Sequence, residues 1–376
     1  MGSEFGIVYP LWHYAADGEE FLDRLVGEVG IGHVVVPAVT GAVEQFRYGL
    51  ETDAPYFHTP GGWHFPPAAR LYGAAGARPV KARWFGHHDV FGRLREQLQR
   101  LGIELVVRVD LPNLRALVDS EPHLAQRNAW GQPMPPVGLC WSHPAARELL
   151  RATLEDLQRY GPIGVQLVPA PSYRDPDALS RSVGLLGLNL EGELGTCFCP
   201  ACRQIAERDG LDAEAAASSV RVRTAREAAH PSGTLVDGLA SDEWDDFIAA
   251  QADDFAIWLD HLAETDKRWW YELVLRPDII ATKDDSSSLR QVVQWQLDFA
   301  VDEEQAKYML QVGRNCREAW SLPAWRPAFE TGDQLVRIVR DAAGAGLARF
   351  DFEQVTASPP EVVTWLKQAV RFARRE

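Results

Sequence analysis

Short apolar or β-branched runs alternate along this chain with longer segments in which apolar residues recur at helical spacing. This alternation limits the fold, because strands separated by helices pair in parallel through right-handed crossovers. It predicts an α/β fold, a (β/α)8 TIM barrel, with a doubly wound sheet as the alternative. Eight runs are predicted as strands: 5–12, 33–39, 104–110, 164–170, 269–276, 307–314, 322–329 and 347–353. Helices are predicted for residues 18–29, 87–101, 144–160, 242–262, 331–343 and 359–374.

The length of 376 residues suits one barrel with long loops. We expect residues 6–376 to form this single domain, and residues 1–5, which include the sequence GSEF, to be left from a cloning site. Two connections exceed the usual two to six residues: about 40–86 and about 171–242. They follow the second and fourth predicted strands, so both would lie on the C-terminal face, where barrel active sites form. An exposed helix is predicted for 212–230, which is rich in alanine and charge.

Composition excludes several classes of partner. Hydrophobic residues make up 46% and charged residues 24%, so a substantial core is available. The net charge of -15 argues against nucleic acid and anionic membranes, which need a positive protein face. No apolar run approaches the roughly 18–20 residues that cross a bilayer, and the N-terminus lacks a signal-peptide pattern. We therefore expect a cytoplasmic protein without membrane contact, and composition is compatible with a homo-oligomer.

Three of the five cysteines fall within six positions, in the sequence CFCPACR at 197–203. The C-x-C-x-x-C spacing lets Cys197, Cys199 and Cys202 turn toward one ion, and the proline favours the necessary bend. Zinc prefers four ligands, and Cys140 in GLCWSHPAARELL could supply the fourth. The pattern predicts a structural Zn²⁺ site. The alternative is a set of free cysteines in a tight turn, whereas the strand and helix context of a thioredoxin-like dithiol is missing.

These two cysteine elements resemble those of family 42 glycoside hydrolases, bacterial β-galactosidases with (β/α)8 barrels and a cysteine zinc cluster. The sequence CWSHPAAR at 140–147 is similar to their first element, with Trp and Ser-His in place of Pro and Asn-Ser, and 197–203 is similar to their second. Uncharacterised glycosidase-like barrels carry related cysteine runs. The resemblance covers about 138–206, and the large extra domains of that family have no room here. It implies a glycosidase with a carbohydrate substrate.

Glycoside hydrolysis needs one carboxylic acid to protonate the leaving oxygen and a second carboxylate to attack the sugar or activate water. Glu191 is predicted as the acid, because its stretch LLGLNLEGEL is apolar and desolvation favours the protonated form. The family's acid/base follows an asparagine directly, whereas Leu190 separates Asn189 from Glu191 here. A solvated loop glutamate is the alternative reading of Glu191.

The partner carboxylate is predicted on the seventh or eighth strand. The resemblance implies a nucleophile at the end of strand seven, which points to Glu330; the sequence ETGD also reads as a capped helix start. Glu353 is the second candidate. Asp351 and Glu353 alternate with phenylalanines in FDFEQ, so both face one side of the strand, and Arg108 and Asp110 share a side in the same way.

Substrate binding is predicted for residues near these carboxylates and in the aromatic loops. Tryptophan provides flat platforms for sugar rings, although core packing is the alternative for most of the 13 tryptophans. The loop HTPGGWHF follows a strand and is expected to present its Trp and His at the mouth. Histidines without H-x-H or H-E-x-x-H spacing suit sugar hydroxyls or loop packing better than a second metal. The predicted substrate-binding residues are Trp12, His13, Trp63, His64, Arg108, Asp110 and Asp351.

The sequence therefore favours a glycoside hydrolase that cleaves a β-linked sugar with two carboxylates. A catalytically silent barrel that binds carbohydrate is the alternative from another class, and a barrel hydrolase acting on other bonds is a third. The arrangement of carboxylates at the mouth separates them, because an enzyme needs a pair beside the aromatic residues and a binding protein does not.

Overall fold

The computed structural model describes residues 3–47, 56–110, 114–133, 138–168, 195–229, 242–265, 270–275, 293–296, 319–324 and 328–374. The strands are β1 Glu4–Val8, β2 His33–Thr40, β3 Val43–Phe46, β4 Tyr56–Thr59, β5 Gly62–Trp63, β6 Glu104–Asp110, β7 Gly164–Val168, β8 Trp270–Leu275, β9 Val293–Gln296, β10 Ala319–Pro323 and β11 Arg349–Glu353. The α-helices are α1 Leu11–Asp17, α2 Glu19–Val29, α3 Val90–Leu101, α4 Arg115–Ser120, α5 Pro144–Leu157, α6 Pro200–Arg208, α7 Ala213–Ala229, α8 Asp242–Thr265, α9 Gly332–Gly344 and α10 Glu361–Ala373.

Eight of these strands pair in parallel in the order β1, β2, β6, β7, β8, β9, β10, β11. The first strand also pairs with the last, so the sheet curls back onto β1. The short strand β5 pairs antiparallel with the end of β2, and β3 and β4 form a separate hairpin. The prediction of an α/β fold is confirmed, and the curled parallel sheet with its helices is compatible with a TIM barrel.

Two predicted strands differ from the structure in their bounds: the run predicted for 322–329 is β10 at Ala319–Pro323, and the run predicted for 5–12 is shorter than predicted. The run predicted for 5–12 ends at Val8, because Pro10 has no N–H to continue a ladder and instead precedes the first turn of α1. The strand between β8 and β10 is β9 at 293–296, whereas the run predicted for 307–314 lies outside the described residues. The four residues of β9, VQWQ, contain a single β-branched side chain, so local pattern alone does not mark them as a strand.

Side-chain alternation divides the strands into an outer apolar face and an inner polar one. On β1, Phe5 and Ile7 belong to the main core, and Phe5 stacks on Phe350 of β11 at a centroid distance of 5.3 Å. The alternate residues of the sheet face inward, where Val8, Val35 and Val106 form a small cluster of their own. The helices cover the outer face, and the rest of the inner face carries mainly charged, amide and hydroxyl side chains.

The connection after β7 contributes a helical unit with its own small core. The predicted helix at 212–230 is present as α7, but it is not fully exposed, since Ala216, Ala217 and Val220 are buried. The buried residues of α7 share one small core with residues of α6 and α8. Among the described residues, no helix combines the length and the apolar character needed to cross a membrane.

Candidate functional site

A hydrogen-bonded network of charged and amide side chains occupies the inside of the sheet. Gln166 of β7 is at its centre, fully buried, and its Nε2 donates to Asp351 Oδ2 at 2.6 Å and to Glu272 Oε2 at 3.1 Å. Its Oε1 accepts from Arg108 Nε at 2.9 Å. Strands β7 and β11 are not neighbours, so the contact between Gln166 and Asp351 crosses the interior.

At the C-terminal end of the sheet, this network reaches Glu353. Arg108 Nη1 donates to Glu353 Oε1 at 2.7 Å, and Ser321 Oγ donates to the same oxygen. The Glu353 side chain remains 17% exposed, whereas that of Arg108 is 8% exposed. Glu353 is therefore held by one cation and one hydroxyl while part of its carboxylate faces solvent.

Asp110 lies two residues after Arg108, at the last position of β6, and is partly exposed. Burial raises the pKa of Asp110 to about 7, Arg108 opposes the rise, and the negative charge of Glu353 adds to it. The mouth thus holds two carboxyl groups in different environments, one able to keep its proton near neutral pH and one paired with arginine. Unequal carboxyl groups of this kind are suited to separate acid and base roles.

The opposite end of the network contains His33, Arg349 and Glu272. Asp351 is fully buried and accepts hydrogen bonds from His33 Nε2 and Gln166, and Arg349 Nη2 lies 3.4 Å from its Oδ2. Burial opposes ionisation of Asp351, but Arg349 and His33 outweigh it and hold its pKa well below the usual range. The predicted shared side of Asp351 and Glu353 is thus observed, although Asp351 lies deep inside and not at the mouth.

An aromatic wall surrounds the start of α1. Trp12 stacks on Phe57 of the β3–β4 hairpin at 4.9 Å with 3° between the planes, and its Nε1 donates to Gln45 Oε1 at 3.1 Å. Trp84 packs edge-on against Trp12, with ring centroids 6.4 Å apart. Trp12 is only 7% exposed, so this wall stiffens the connection after β2 more than it offers free surface.

His64 is fully buried in a chain of hydrogen bonds that fixes its neutral form. Trp84 Nε1 donates to His64 Nδ1 at 2.8 Å, so His64 Nε2 carries the proton that it shares with Thr40 Oγ1 at 2.8 Å. The Thr40 hydroxyl in turn donates to the Gly41 carbonyl at 2.9 Å. Burial lowers the pKa of His64 to about 3. The structure therefore places His64 under the mouth as a support for the end of β2.

Trp63 and His13 also lie inside the protein. Trp63 is 1% exposed, and its Nε1 donates to Thr153 Oγ1 of α5 at 3.0 Å, so it belongs to the core between β5 and α5 and not to a substrate loop. His13 is fully buried, with Nδ1 bonded to Thr356 Oγ1. Burial lowers its pKa well below the usual value, and Arg47 adds to this effect.

Of the two other predicted catalytic residues, Glu191 and Glu330, only Glu330 is among the described residues. Glu191 lies outside the described residues, so its role stays a prediction. Glu330 is exposed just before α9, where Thr331 is the N-cap and forms a capping box with Gln334. The capped helix start that the sequence ETGD allowed is therefore present, and Glu330 makes no described contact with the interior network.

The four predicted metal ligands come together. The thiol groups of Cys140, Cys197, Cys199 and Cys202 are buried, unbridged and within 4.8 Å of one another. Cys140 Sγ lies 3.3 Å from Cys199 Sγ and 3.4 Å from Cys202 Sγ. Zn–S bonds of about 2.3 Å in a tetrahedron place sulfurs about 3.8 Å apart, so this group could hold a metal ion.

The surroundings of the thiols support the same role. Arg127 N lies 3.4 Å from Cys197 Sγ as a donor, and Gln251 Nε2 donates to the Cys197 carbonyl at 3.1 Å. Four thiols packed this closely in a small apolar core would repel one another as thiolates without a cation. Four cysteine ligands leave no open coordination position, so such an ion would tie the helical unit to the connection that carries Cys140.

Several residues of the interior network were not predicted as site residues. Gln166 and Ser321 connect the carboxylates, but an amide or hydroxyl in an apolar strand has no distinctive local signature. Glu272 and Arg349 pair across the interior, and neither was predicted as a site residue. A usable signal existed in the strand GVQLV, where a lone glutamine interrupts a buried apolar run.

Comparison with known proteins gives likenesses of fold alone. The sequence matches no family model and no curated protein sequence. The structure is similar to α-L-fucosidase isoenzyme 2 from Paenibacillus thiaminolyticus, with a TM-score of 0.57 at 11% identity over 100% of this chain and 49% of that one. It is similar to β-galactosidase from the psychrophilic Marinomonas ef1, with a TM-score of 0.56 at 11% identity over 98% and 59%.

A further similar structure is β-N-acetylhexosaminidase from Bacteroides fragilis NCTC 9343, with a TM-score of 0.51 at 11% identity over 98% of this chain and 65% of that one. The chain thus spans between about half and two thirds of the length of these proteins. At such low identity the likeness establishes the fold, and the fold it establishes is one that glycoside hydrolases use.

Proposed function

We propose that this protein is a glycoside hydrolase built on a complete (β/α)8 barrel and acting on a β-linked saccharide. One observation carries the proposal: Asp110 and Glu353 end two strands at the C-terminal mouth, and Arg108 is bonded to Glu353 and acts on Asp110 only through its charge, so their carboxyl groups experience different environments. Two carboxyl groups in different environments, one of them able to act as the acid, are what glycoside cleavage requires. The glycoside hydrolases with a similar fold support the same reading.

The chemistry follows from these environments. Asp110, protonated near neutral pH, would give its proton to the glycosidic oxygen as the bond to the anomeric carbon breaks. Glu353 would attack that carbon, or take a proton from the water that does so. A carboxyl separation of about 5–5.5 Å in the substrate complex corresponds to retention and about 6.5–9.5 Å to inversion.

Arg108 would hold the Glu353 carboxylate in place at the mouth. Its Nε is fixed by Gln166 and its Nη1 by Glu353, so the guanidinium cannot turn away without breaking two bonds. The sequence-based alternatives for the acid and the nucleophile, Glu191 and Glu330, are tested in the same experiment.

The test uses Asp110→Asn, Glu353→Gln, Glu191→Gln and Glu330→Gln, with the exposed Asp119→Asn on α4 as control. Each is assayed on aryl β-glycosides with an activated and with a poor leaving group. Asp110→Asn should lower kcat/KM roughly 10²–10⁴-fold on the poor leaving group and much less on the activated one. The activity of the parent protein should fall above about pH 7, as Asp110 loses its proton. This fall should be absent in Asp110→Asn.

Glu353→Gln should be inactive on both substrates, because neither leaving group removes the need for the second carboxylate. If the leaving-group pattern appears in Glu191→Gln and not in Asp110→Asn, Glu191 is the acid. Full activity of Glu353→Gln with loss in Glu330→Gln would reassign the second carboxylate. A parent that cleaves no β-glycoside contradicts the proposal.

A catalytically silent carbohydrate-binding barrel is the second candidate. The observation that favours it is the bonding of Glu353, one of whose oxygens is already occupied by both Arg108 and Ser321. In that case the network of charged side chains would only stabilise the fold. Both the parent protein and Glu353→Gln would then bind saccharide without cleaving it.

For the cysteine group we propose zinc as the resident ion, with a structural role. Four thiolates and no open position match structural zinc sites, and cysteine-rich tetrahedral sites select zinc over magnesium or calcium. The ion would hold α6 and the loop around Arg127 together, and no catalytic step passes through it.

A further inference from the structure

Most of the exposed aromatic side chains belong to two neighbouring connections of the sheet. Among the described residues, four large aromatic side chains are about half exposed: Phe46 at 52%, Tyr56 at 56%, Trp130 at 46% and Phe372 at 45%. The first three belong to the connections that follow β2 and β6. These two strands pair in parallel, so their connections leave the sheet side by side, at the edge that carries Asp110.

The hairpin after β2 presents two of these rings together. Phe46 and Tyr56 are cross-strand partners, and alternation turns them to the face opposite Phe57. Phe57 stacks on Trp12, and Gln45 accepts from Trp12 Nε1, so the inner face of the hairpin is fixed against the aromatic wall. The hairpin therefore presents the Phe46 and Tyr56 rings on its outer face, while its inner face is packed against the aromatic wall.

The connection after β6 presents Trp130 on a rigid turn. Asn128 Oδ1 accepts from the Trp130 N–H at 3.0 Å and from the Gln132 N–H at 2.9 Å, and Gly131 adopts φ 77° as the turn requires. Ala129 is buried beside the cysteine group, where Arg221 Nη1 donates to its carbonyl at 2.7 Å. The backbone is thus anchored while the indole side chain stays half exposed.

Exposed aromatic surface held on rigid backbone is a common feature of binding sites, because burying it on a ligand releases hydrophobic free energy at little entropic cost. The apolar C–H face of a sugar ring matches a flat aromatic ring, and the indole and phenol groups add hydrogen bonds at the edge. A net charge of -15, with Glu44 on the same face of the hairpin, disfavours an anionic chain.

We propose that the Phe46–Tyr56 pair and Trp130 form two outer sugar-binding subsites, so that the substrate is a neutral oligosaccharide of several units. This inference rests on the proposed glycosidase function and specifies its substrate class. The subsites lie on neighbouring connections around the mouth, so a chain cleaved at Asp110 and Glu353 would extend across them. Affinity should then rise with chain length until both subsites are filled.

The test compares binding and turnover along a series of chain lengths. Parent, Trp130→Ala and Tyr56→Ala are assayed on β-linked gluco-, galacto-, xylo- and chito-oligosaccharides of one to six units and on aryl monoglycosides. Direct binding is measured by calorimetry in the Glu353→Gln background. Each substitution should weaken binding of the longest bound chain roughly ten-fold, and leave kcat/KM on the aryl monoglycoside unchanged.

Trp130→Phe and Tyr56→Phe should retain most of the affinity, and Phe372→Ala, equally exposed but on α10, should have no effect. Unchanged binding of every oligosaccharide in both alanine variants overturns the inference while leaving glycoside hydrolysis intact. Chain-length-dependent binding that is lost in these variants, in a parent that cleaves nothing, supports the subsites and contradicts the hydrolase proposal. A parent that binds no saccharide contradicts both.

Discussion

At the scale of single residues, the two tryptophans Trp63 and Trp130 differ in burial and should therefore contribute differently to stability. Trp63 is buried against α5 and donates to Thr153, so Trp63→Ala should leave a large cavity and an unpaired hydroxyl acceptor. We expect a loss of about 3–5 kcal/mol in the free energy of unfolding, measured by urea denaturation. Trp130→Ala should change it by less than about 0.5 kcal/mol. Weakened sugar binding at unchanged stability in Trp63→Ala would return Trp63 to the substrate site.

Glu272 should make stability fall with rising pH. Burial raises the pKa of Glu272 to about 7, Arg349 opposes the rise, and Asp351 adds to it, whereas the ordinary value is 4.5. Between these values the folded chain keeps a proton that the unfolded chain has released, so the unfolding free energy decreases as pH rises through this window. A shift of this size corresponds to about 3 kcal/mol.

Glu272→Gln should remove this slope, because glutamine keeps the shape and an acceptor oxygen without titrating. Unfolding free energies measured by urea at pH 4.5, 6 and 7.5 should therefore rise in the variant relative to the parent by about 3 kcal/mol across the series. The exposed Glu264→Gln on α8 is the control and should keep the parental slope. An identical slope in Glu272→Gln would show that the proton is bound elsewhere.

At the scale of elements, the helical unit formed by α6 and α7 depends on the cysteine group. Its core is made largely of alanine and the four cysteines, which bury little apolar area for three packed segments. We expect about one zinc per chain by elemental analysis. Cys202→Ser should lose the ion and expose 195–229 to limited proteolysis while the sheet stays folded. The matched control is Cys316→Ser, which changes the one cysteine that is not a predicted zinc ligand. The zinc assignment would be contradicted if the parent protein, purified without metal, resisted the protease as well as zinc-bound protein does.

At the scale of the whole molecule, β1 joins the last strand of the sheet to the second. Gly6 pairs with His33 on one side and with Asp351 on the other, and a Cβ at this position would overlap the His33 ring. Gly6→Ala should therefore displace His33 from Asp351 and lower the unfolding free energy by about 1–3 kcal/mol. The exposed Gly27→Ala on α2 meets no neighbour and should stabilise the protein slightly.

A double-mutant cycle separates this clash from a general loss of packing. If Gly6→Ala acts through His33, the double variant Gly6→Ala/His33→Ala should lose less than the sum of the single variants, by about 0.5–3 kcal/mol. Additive losses of unfolding free energy would mean that Gly6→Ala acts through the backbone at this position and not through a clash with the His33 ring. Urea unfolding of the four proteins provides the comparison.

The sequence by itself determined the features that depend on local pattern. Strand and helix alternation predicted the α/β class, and side-chain parity predicted that Asp351 and Glu353 face one side. The C-x-C-x-x-C spacing predicted that Cys197, Cys199 and Cys202 meet. These inferences work because pleat geometry and ligand spacing extend over only a few residues.

Only the tertiary structure decided how distant strands meet. Arg108 bonds Glu353 across 245 positions of sequence, and Gln166 bonds Asp351 across 185, so no local pattern could reveal their partnership. The same holds for Trp63, whose burial depends on where α5 packs against the sheet. Local sequence sets which face a side chain occupies, whereas burial, proton affinity and site membership depend on the residues that long-range packing brings to that face.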